Sequence, residues 1–152
     1  MDAAGIVDKV LESGYRLARI ETGQPERLVA VFRRLPQESG RSVYHWRPGC
    51  GLSRLAVEPI LIPRTQTPPD AIAYIRASRH PGVYLLEGFG GALERPSIAG
   101  QLAEFATGEE VAGVLILLIG EYLPLPEALR PQVATIRQNP RPSRRNGTSP
   151  AG

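Results

Sequence analysis

The chain has 152 residues, of which 42% are hydrophobic and 22% charged, and its formal net charge is +3. These proportions are those of one globular domain, and they exclude collagen-like, low-complexity and highly charged disordered chains. The single cysteine, Cys50, excludes an intramolecular disulfide, and the two histidines, His45 and His80, lack the spacing of a metal motif. We therefore expect packing or surface roles for the two histidines. Cys50 lies among glycines at 49–51 and is expected to be a passive loop cysteine, with a reactive thiol as the alternative.

The ends and the apolar content of the chain bear on its location. The amino-terminal sequence lacks the basic and apolar regions of a signal peptide. The longest apolar stretch, 111–119, is too short to span a bilayer and suits a buried strand. We expect a cytoplasmic protein without membrane contact.

Helical and strand-like segments alternate along the chain. A short helix at 6–13 comes first, and Pro25 opens a second helix whose apolar residues recur at helical spacing to about Leu35, before Pro36 and Gly40 end it. Further helices are predicted to begin at Pro68, Pro96 and Pro126. Predicted strands occupy 15–21, 42–46, 82–86, 112–119 and 133–137, and the proline-flanked segment 57–63 is extended, at an edge or in a loop.

Strands separated by helices, with one strand apolar throughout, predict an α/β fold. We expect a three-layer sandwich in which helices cover both faces of a mostly parallel five-stranded sheet. One domain is predicted at 1–138. Residues 139–152 contain no apolar residue larger than Ala or Pro, so they are predicted to form a disordered tail.

The loop after the first strand is where a parallel α/β sheet of the ATPase type would hold phosphate. A phosphate loop needs Gly-x-x-x-x-Gly-Lys-Ser/Thr, because its backbone N–H groups and its lysine bind the phosphates. The chain has Glu-Thr-Gly-Gln-Pro-Glu-Arg at 21–27 instead, with one glycine, no lysine and two carboxylates. Tight ATP binding at this loop is therefore not expected.

The end of the third strand is the second position where catalytic groups would lie. The sequence there is Leu-Leu-Glu-Gly-Phe-Gly-Gly at 85–91, in which Glu87 is a lone acid and the glycines indicate a tight turn. One carboxylate without an adjacent partner does not make a hydrolytic site. We predict no catalytic residue, no metal and no cofactor.

The order of elements, together with several short motifs, resembles the N-terminal, degenerate P-loop-like domain of the AAA ATPases found in cyanobacteria and chloroplasts as a conserved hypothetical reading frame. The resemblance covers about 9–137. The matching residues are Glu21-Thr22, Glu26-Arg27, Val43, Tyr44, Trp46, Gly51, Leu52, Pro68, Ala71, Ile75, the segment 123–127 and the segment 133–136.

The resemblance implies a P-loop NTPase-like, AAA-like topology that lacks the Walker A motif, here as a stand-alone copy of a non-catalytic domain. One departure affects the third strand. The family usually ends this strand in Lys-Asp-Phe-His, whereas this chain has Glu87-Gly88-Phe89-Gly90, so that only the phenylalanine is retained. The role of the family's polar residues at this turn does not transfer to the chain.

Three functions follow as hypotheses. The first is a non-catalytic protein-interaction or regulatory domain that partners an AAA-type ATPase or its own copies, with Tyr44, Trp46 and Phe89 as aromatic contact residues or else as ordinary packing. The second is a sensor that binds a small ligand or nucleotide without hydrolysis at the strand ends. Its candidate residues are Thr22, Gly23, Glu87, Gly88 and Gly90. The third is nucleic-acid binding through arginines, including Arg141, Arg144 and Arg145.

Overall fold

A computed structural model describes residues 2–78, 80–108 and 113–137. The predicted tail at 139–152, with Arg141, Arg144 and Arg145, lies outside these residues. Within them no helix is long and apolar enough to cross a bilayer. The helices are Ala3–Glu12 (α1), Pro25–Phe32 (α2), Leu35–Ser39 (α3), Pro68–Ala77 (α4), Gly90–Leu93 (α5) and Pro96–Thr107 (α6), with a short 3₁₀ helix at Arg130–Gln132. The strands are Leu17–Glu21 (β1), Val43–Arg47 (β2), Gly51–Arg54 (β3), Ile60–Leu61 (β4), Gly82–Glu87 (β5), Val114–Gly120 (β6) and Val133–Arg137 (β7).

The helices begin at residues that satisfy or dispense with the first backbone N–H groups. Asp2 accepts a hydrogen bond from the N–H of Gly5 at 2.7 Å at the start of α1. Thr67 accepts one from Asp70 at 3.3 Å at the start of α4. Helices α2, α4 and α6 also carry a proline in the first turn, where its missing N–H costs no hydrogen bond.

All the strands form one sheet in the order β4-β3-β2-β5-β6-β1-β7. Strands β2, β5, β6, β1 and β7 run parallel, while β3 and β4 add an antiparallel edge. This arrangement is consistent with a P-loop NTPase-like fold. Strand β6 lies between β5 and β1 with both faces covered, which explains its nearly continuous apolar sequence.

Helices cover both faces of the sheet, because successive side chains of a strand point to opposite sides. On one face, α4, α5 and α6 pack together with the segment 123–129 that follows β6. On the other face, α1, α2 and α3 pack over Ala18, Ile20, Leu85 and Leu117. We refer to these as the α6 face and the α1 face.

The predicted α/β class and mostly parallel sheet are confirmed, but the predicted number of strands was wrong because β3 and β4 extend the sheet to seven. The helix predicted to run from Pro25 to Leu35 is divided into α2 and α3. Pro36 lies in the first turn of α3 rather than ending a helix, and Gly40 ends it with a φ of 75°. The predicted helix at 126–129 is a turn that precedes the 3₁₀ helix.

Candidate functional site

The carboxyl ends of β6 and β1 mark the position where a sheet of this kind usually binds a ligand. These strands are neighbours, but the chain leaves them toward opposite sides of the sheet, since β1 leads to β2 and β6 leads to β7. Ligands of open α/β sheets lie in the crevice at such a switch point. The candidate site therefore consists of the segments that follow β1, β5 and β6.

The connection from β1 to α2 contains only Thr22, Gly23 and Gln24. The backbone N–H of Thr22 donates to the carbonyl of Gly120 at 2.8 Å, and its side-chain oxygen accepts from the N–H of Gln24 at 3.1 Å. Thr22 is buried, whereas Gly23 is exposed with open space around it. Hydrogen bonds within the chain therefore already occupy most polar groups of this short connection.

Leu123 closes over the same strand ends. Glu21, at the end of β1, accepts the N–H of Leu123 at 3.1 Å, while the guanidinium of Arg19 donates to the carbonyl of Leu123. The Leu123 side chain is 2% exposed and contacts Gly120 so closely that a Cβ there would lie 3.2 Å from it. The segment after β6 therefore fills the crevice with the chain's own residues.

The edge strand β7 also contacts the two side chains that bind Leu123, Arg19 and Glu21. The Arg19 guanidinium also donates to the hydroxyl of Thr135 in β7 at 3.0 Å. Arg137 in the same strand lies 3.8 Å from the carboxylate of Glu21. Because Arg19 and Glu21 contact both β7 and Leu123, the two side chains link three segments at the carboxyl edge.

Glu87, the last residue of β5, pairs with a histidine that sequence analysis left without a partner. Its carboxylate oxygen lies 2.8 Å from Nε2 of His45 in β2, and His45 is 8% exposed. Burial lowers the pKa of His45 below 6.5, against an opposing effect of Glu87. Burial thus favours the neutral imidazole, and in the tautomer that carries its proton on Nε2 the ring donates to Glu87.

The turn after β5 is shaped by a glycine and by a buried ring. Gly88 has a φ of 78°, and a Cβ there would lie 2.9 Å from the ring of Pro48. Phe89 is fully buried and meets Trp46 edge-on, with ring centroids 4.9 Å apart. The turn thus leads directly into the core of the α6 face.

The predicted aromatic contact residues lie inside the domain. Tyr44 and Trp46 are 8% and 3% exposed, and Phe89 is fully buried. Tyr44 stacks on Tyr84 at 4.5 Å, and the Trp46 indole donates to the carbonyl of Thr65 at 2.8 Å. This burial supports the packing alternative and contradicts the proposed role of these rings as surface anchors.

The five predicted ligand residues share one edge of the sheet but do not form one open site. Thr22 and Gly23 follow β1, whereas Glu87, Gly88 and Gly90 follow β5, and β6 lies between these strands. Two strand spacings separate the groups by about 10 Å. Gly90 lies under Leu123, with 3.9 Å from its Cβ position to that side chain. In the described part of the chain, no three His, Cys, Asp or Glu side chains gather to hold a metal ion.

A comparison with known protein families identifies the family to which the chain belongs. The profile of the SpoVK-like AAA ATPase, N-terminal domain, matches residues 5–137. The chain belongs to this family. The predicted relationship to the N-terminal domain of an AAA ATPase is therefore confirmed. Neither the search of curated proteins nor the search of solved structures gave a match.

The closed carboxyl edge lies within the region that matches the SpoVK-like AAA N-terminal domain. Sequence reasoning identified the loops that form this edge but missed two of its main contacts. The pair of His45 and Glu87 joins residues on adjacent strands and the closure by Leu123 joins residues about a hundred positions apart. The Leu-Pro-Leu-Pro-Glu segment at 123–127 was the one available signal for that closure.

Proposed function

We propose that this SpoVK-like AAA N-terminal domain is a non-catalytic protein-interaction and regulatory domain, which contacts an AAA-type ATPase or further copies of itself. The observation that carries the proposal is the closed switch point. The three-residue connection after β1 is bonded within the chain, and Leu123 covers the adjoining strand ends. The family membership supplies the setting, an ATPase to which such a domain belongs.

The residues of the connection between β1 and α2 support its interpretation as a degenerate phosphate loop. A functional loop presents several free backbone N–H groups and a lysine to the phosphates. Here Pro25 has no N–H, no lysine is present, and the carboxylates of Glu21 and Glu26 flank the connection. Negative charge at this position repels a polyphosphate, so ATP binding and hydrolysis are not part of the proposal.

The likeness to the domain in cyanobacterial and chloroplast AAA ATPases belongs to the same proposal. It supports a domain that acts through protein contacts beside a catalytic ATPase module. A nucleotide sensor at the strand ends is the alternative. It would require Leu123 to move away, because the crevice is filled when this residue is in place.

Light scattering coupled to size-exclusion chromatography tests the proposal. The domain is measured alone and together with the AAA ATPase module from the same organism. We expect a complex with the ATPase or a discrete homo-oligomer. A strict monomer that does not co-elute with the ATPase would contradict the proposed interaction.

Thermal unfolding with Mg·ATP and Mg·ADP tests the non-catalytic part. We expect an unchanged Tm at millimolar nucleotide and no phosphate release. Since a ligand that binds only the folded state raises the Tm, a clear shift with either nucleotide would favour the sensor alternative. Phosphate release by the purified domain would contradict both.

A further inference from the structure

The opposite edge of the sheet, at the amino ends of β2 and β5, carries an open groove. Two adjoining clefts of about 470 and 310 Å³ share Gly40, Arg41, Ser42 and Arg54 in their walls. One cleft reaches Tyr44 and Gly82 on the α6 face. The other extends past Arg33 to the edge strand β4, so the two together form a continuous surface, which we call the arginine groove.

Three arginines line the arginine groove. Arg41 and Arg54 line both clefts and Arg33 lines the second, whereas no Asp or Glu is among the described residues that line them. Arg54 donates to the hydroxyl of Ser42 at 3.3 Å, a neutral partner. No carboxylate within the described ranges forms an ion pair with any of these three arginines. The groove is therefore complementary to a negatively charged occupant.

One wall of the groove is apolar and exposed. Val57 is 88% exposed and Ile60 is 56% exposed, and both line the second cleft beside buried Leu55. Ile60 belongs to β4, which pairs with β3 on one side only because it is the edge of the sheet. Contiguous exposed apolar side chains rimmed by polar residues mark surfaces that bind another protein.

We propose that the arginine groove binds an extended acidic segment of a protein partner, with glutamates or aspartates on the arginines and an apolar side chain against Val57 and Ile60. This inference rests on the proposed interaction function and names the chemistry of the partner. Guanidinium groups bind carboxylates in two parallel hydrogen bonds, which adds direction to the attraction. A free phosphate or a nucleic-acid backbone would use the arginines but would leave the apolar wall uncovered.

Fluorescence anisotropy with labelled peptides tests the groove directly. The probe is a fluorescein-labelled peptide that carries glutamates and leucines in a Gly-Ser background. Two matched probes replace its glutamates with glutamine or its leucines with serine. We expect the first probe to bind more tightly than either replacement, and no binding of the first probe would overturn the proposal.

Substitutions in the protein test whether the probe binds in the arginine groove. We expect the double variant Arg41→Gln/Arg54→Gln to weaken binding at least about tenfold. Ile60→Ser is expected to weaken it by a smaller factor. The control Arg95→Gln removes an exposed arginine at the start of α6, outside both cleft linings, and should leave binding unchanged. Equal losses in Arg95→Gln and in the double variant would overturn the proposal, and circular dichroism verifies that each variant is folded.

Two competitors distinguish the other occupants. If pyrophosphate displaces the peptide and the serine-substituted probe binds equally well, the groove is an anion site only, and the peptide proposal is overturned. If a single-stranded oligonucleotide binds more tightly than the peptide and loses affinity in the double variant, the occupant is nucleic acid, which also overturns it.

Co-elution with the ATPase separates this inference from the proposed function. If the double variant still co-elutes or self-associates like the parent, the groove proposal fails and the interaction function stands. If the parent binds the acidic probe through the groove but neither co-elutes nor self-associates, the groove stands and the proposed partner fails.

Discussion

At the carboxyl ends of β1 and β6 the chain covers itself, whereas at the amino ends of β2 and β5 it leaves an open groove. The carboxyl edge has Leu123 over the switch point and Glu87 paired with His45. The amino edge has three arginines without carboxylate partners among the described residues. The position that usually binds ligand is thus the filled one, and the open polar surface lies at the other end of the strands.

On the proposed non-catalytic function, the fold is kept while its usual site is closed. The strand order only specifies where a crevice can form, and the connecting segments decide whether it stays open. Here the connection after β1 has only three residues, and the buried side chain of Leu123 covers the adjoining strand ends. The two edges therefore make different predictions for substitution, because changes at the filled edge should alter stability and changes at the open edge should alter binding.

Truncation of Phe89 should have the largest effect. Phe89→Ala removes a fully buried ring that packs on Trp46, so we expect the free energy of unfolding to fall by about 3–5 kcal/mol. The control Val57→Ala truncates a side chain at the open edge that is 88% exposed and should change it by less than about 0.5 kcal/mol. Urea unfolding measures both. A stable Phe89→Ala variant that has lost association would restore this ring as an interface residue.

Removing the closure by Leu123 should have the next largest effect. Leu123→Ala deletes most of a side chain that is 2% exposed, and we expect a loss of about 2–4 kcal/mol in the free energy of unfolding. Its neighbour Tyr122 is 77% exposed, so Tyr122→Ala is the matched control with little expected change. If Leu123→Ala keeps its stability and gains a Tm shift with nucleotide, the closed edge is a lid over a working site.

Much of the fold could be predicted from the sequence because its signals are local. The apolar run at 112–119 indicates a strand buried on both faces, and it contains most of β6. Pro68 and Pro96 mark the starts of α4 and α6, where a missing N–H costs nothing. By contrast, β3 has four residues with one large apolar side chain, and α5 has four residues of which two are glycines. Neither segment is long enough to show the periodic spacing of apolar residues that predicts a strand or a helix.

The contacts of the candidate site could not be predicted, since they depend on which strands become neighbours. His45 meets Glu87 only because β2 lies beside β5, with His45 opposite Leu85 in the register. The arginine groove likewise combines Arg41, which precedes β2, with Arg54 at the end of β3, an element that the sequence pattern did not reveal. The aromatic residues at 44, 46 and 89 carry no sequence signal that separates core from surface.

A substitution at Gly88 should have an intermediate effect at the filled edge. Gly88→Ala places a Cβ at a φ of 78° and 2.9 Å from Pro48, so we expect a loss of about 1–3 kcal/mol in the free energy of unfolding. Gly91→Ala is the matched control, because no atom lies within 4 Å of its Cβ position and it is part of α5. The control should be neutral or slightly stabilising. Similar losses in the two variants would show that neither the positive φ of Gly88 nor its close approach to Pro48 accounts for the effect.

The smallest expected effect is a change in how stability depends on pH. The folded-state pKa of His45 lies below 6.5 because the ring is buried, so the unfolded chain binds more protons as the pH falls through 6.5. Stability due to this residue is complete above pH 6.5 and is lost as the pH decreases toward the folded-state pKa. His45→Gln keeps a donor for Glu87 and removes the titration, so its free energy of unfolding should fall less steeply below pH 6.5 than that of the parent. Urea unfolding at a series of pH values measures the two slopes. A steeper fall in the variant would mean that Glu87 stabilises a protonated imidazole in the folded state, and that the filled edge holds a charged pair.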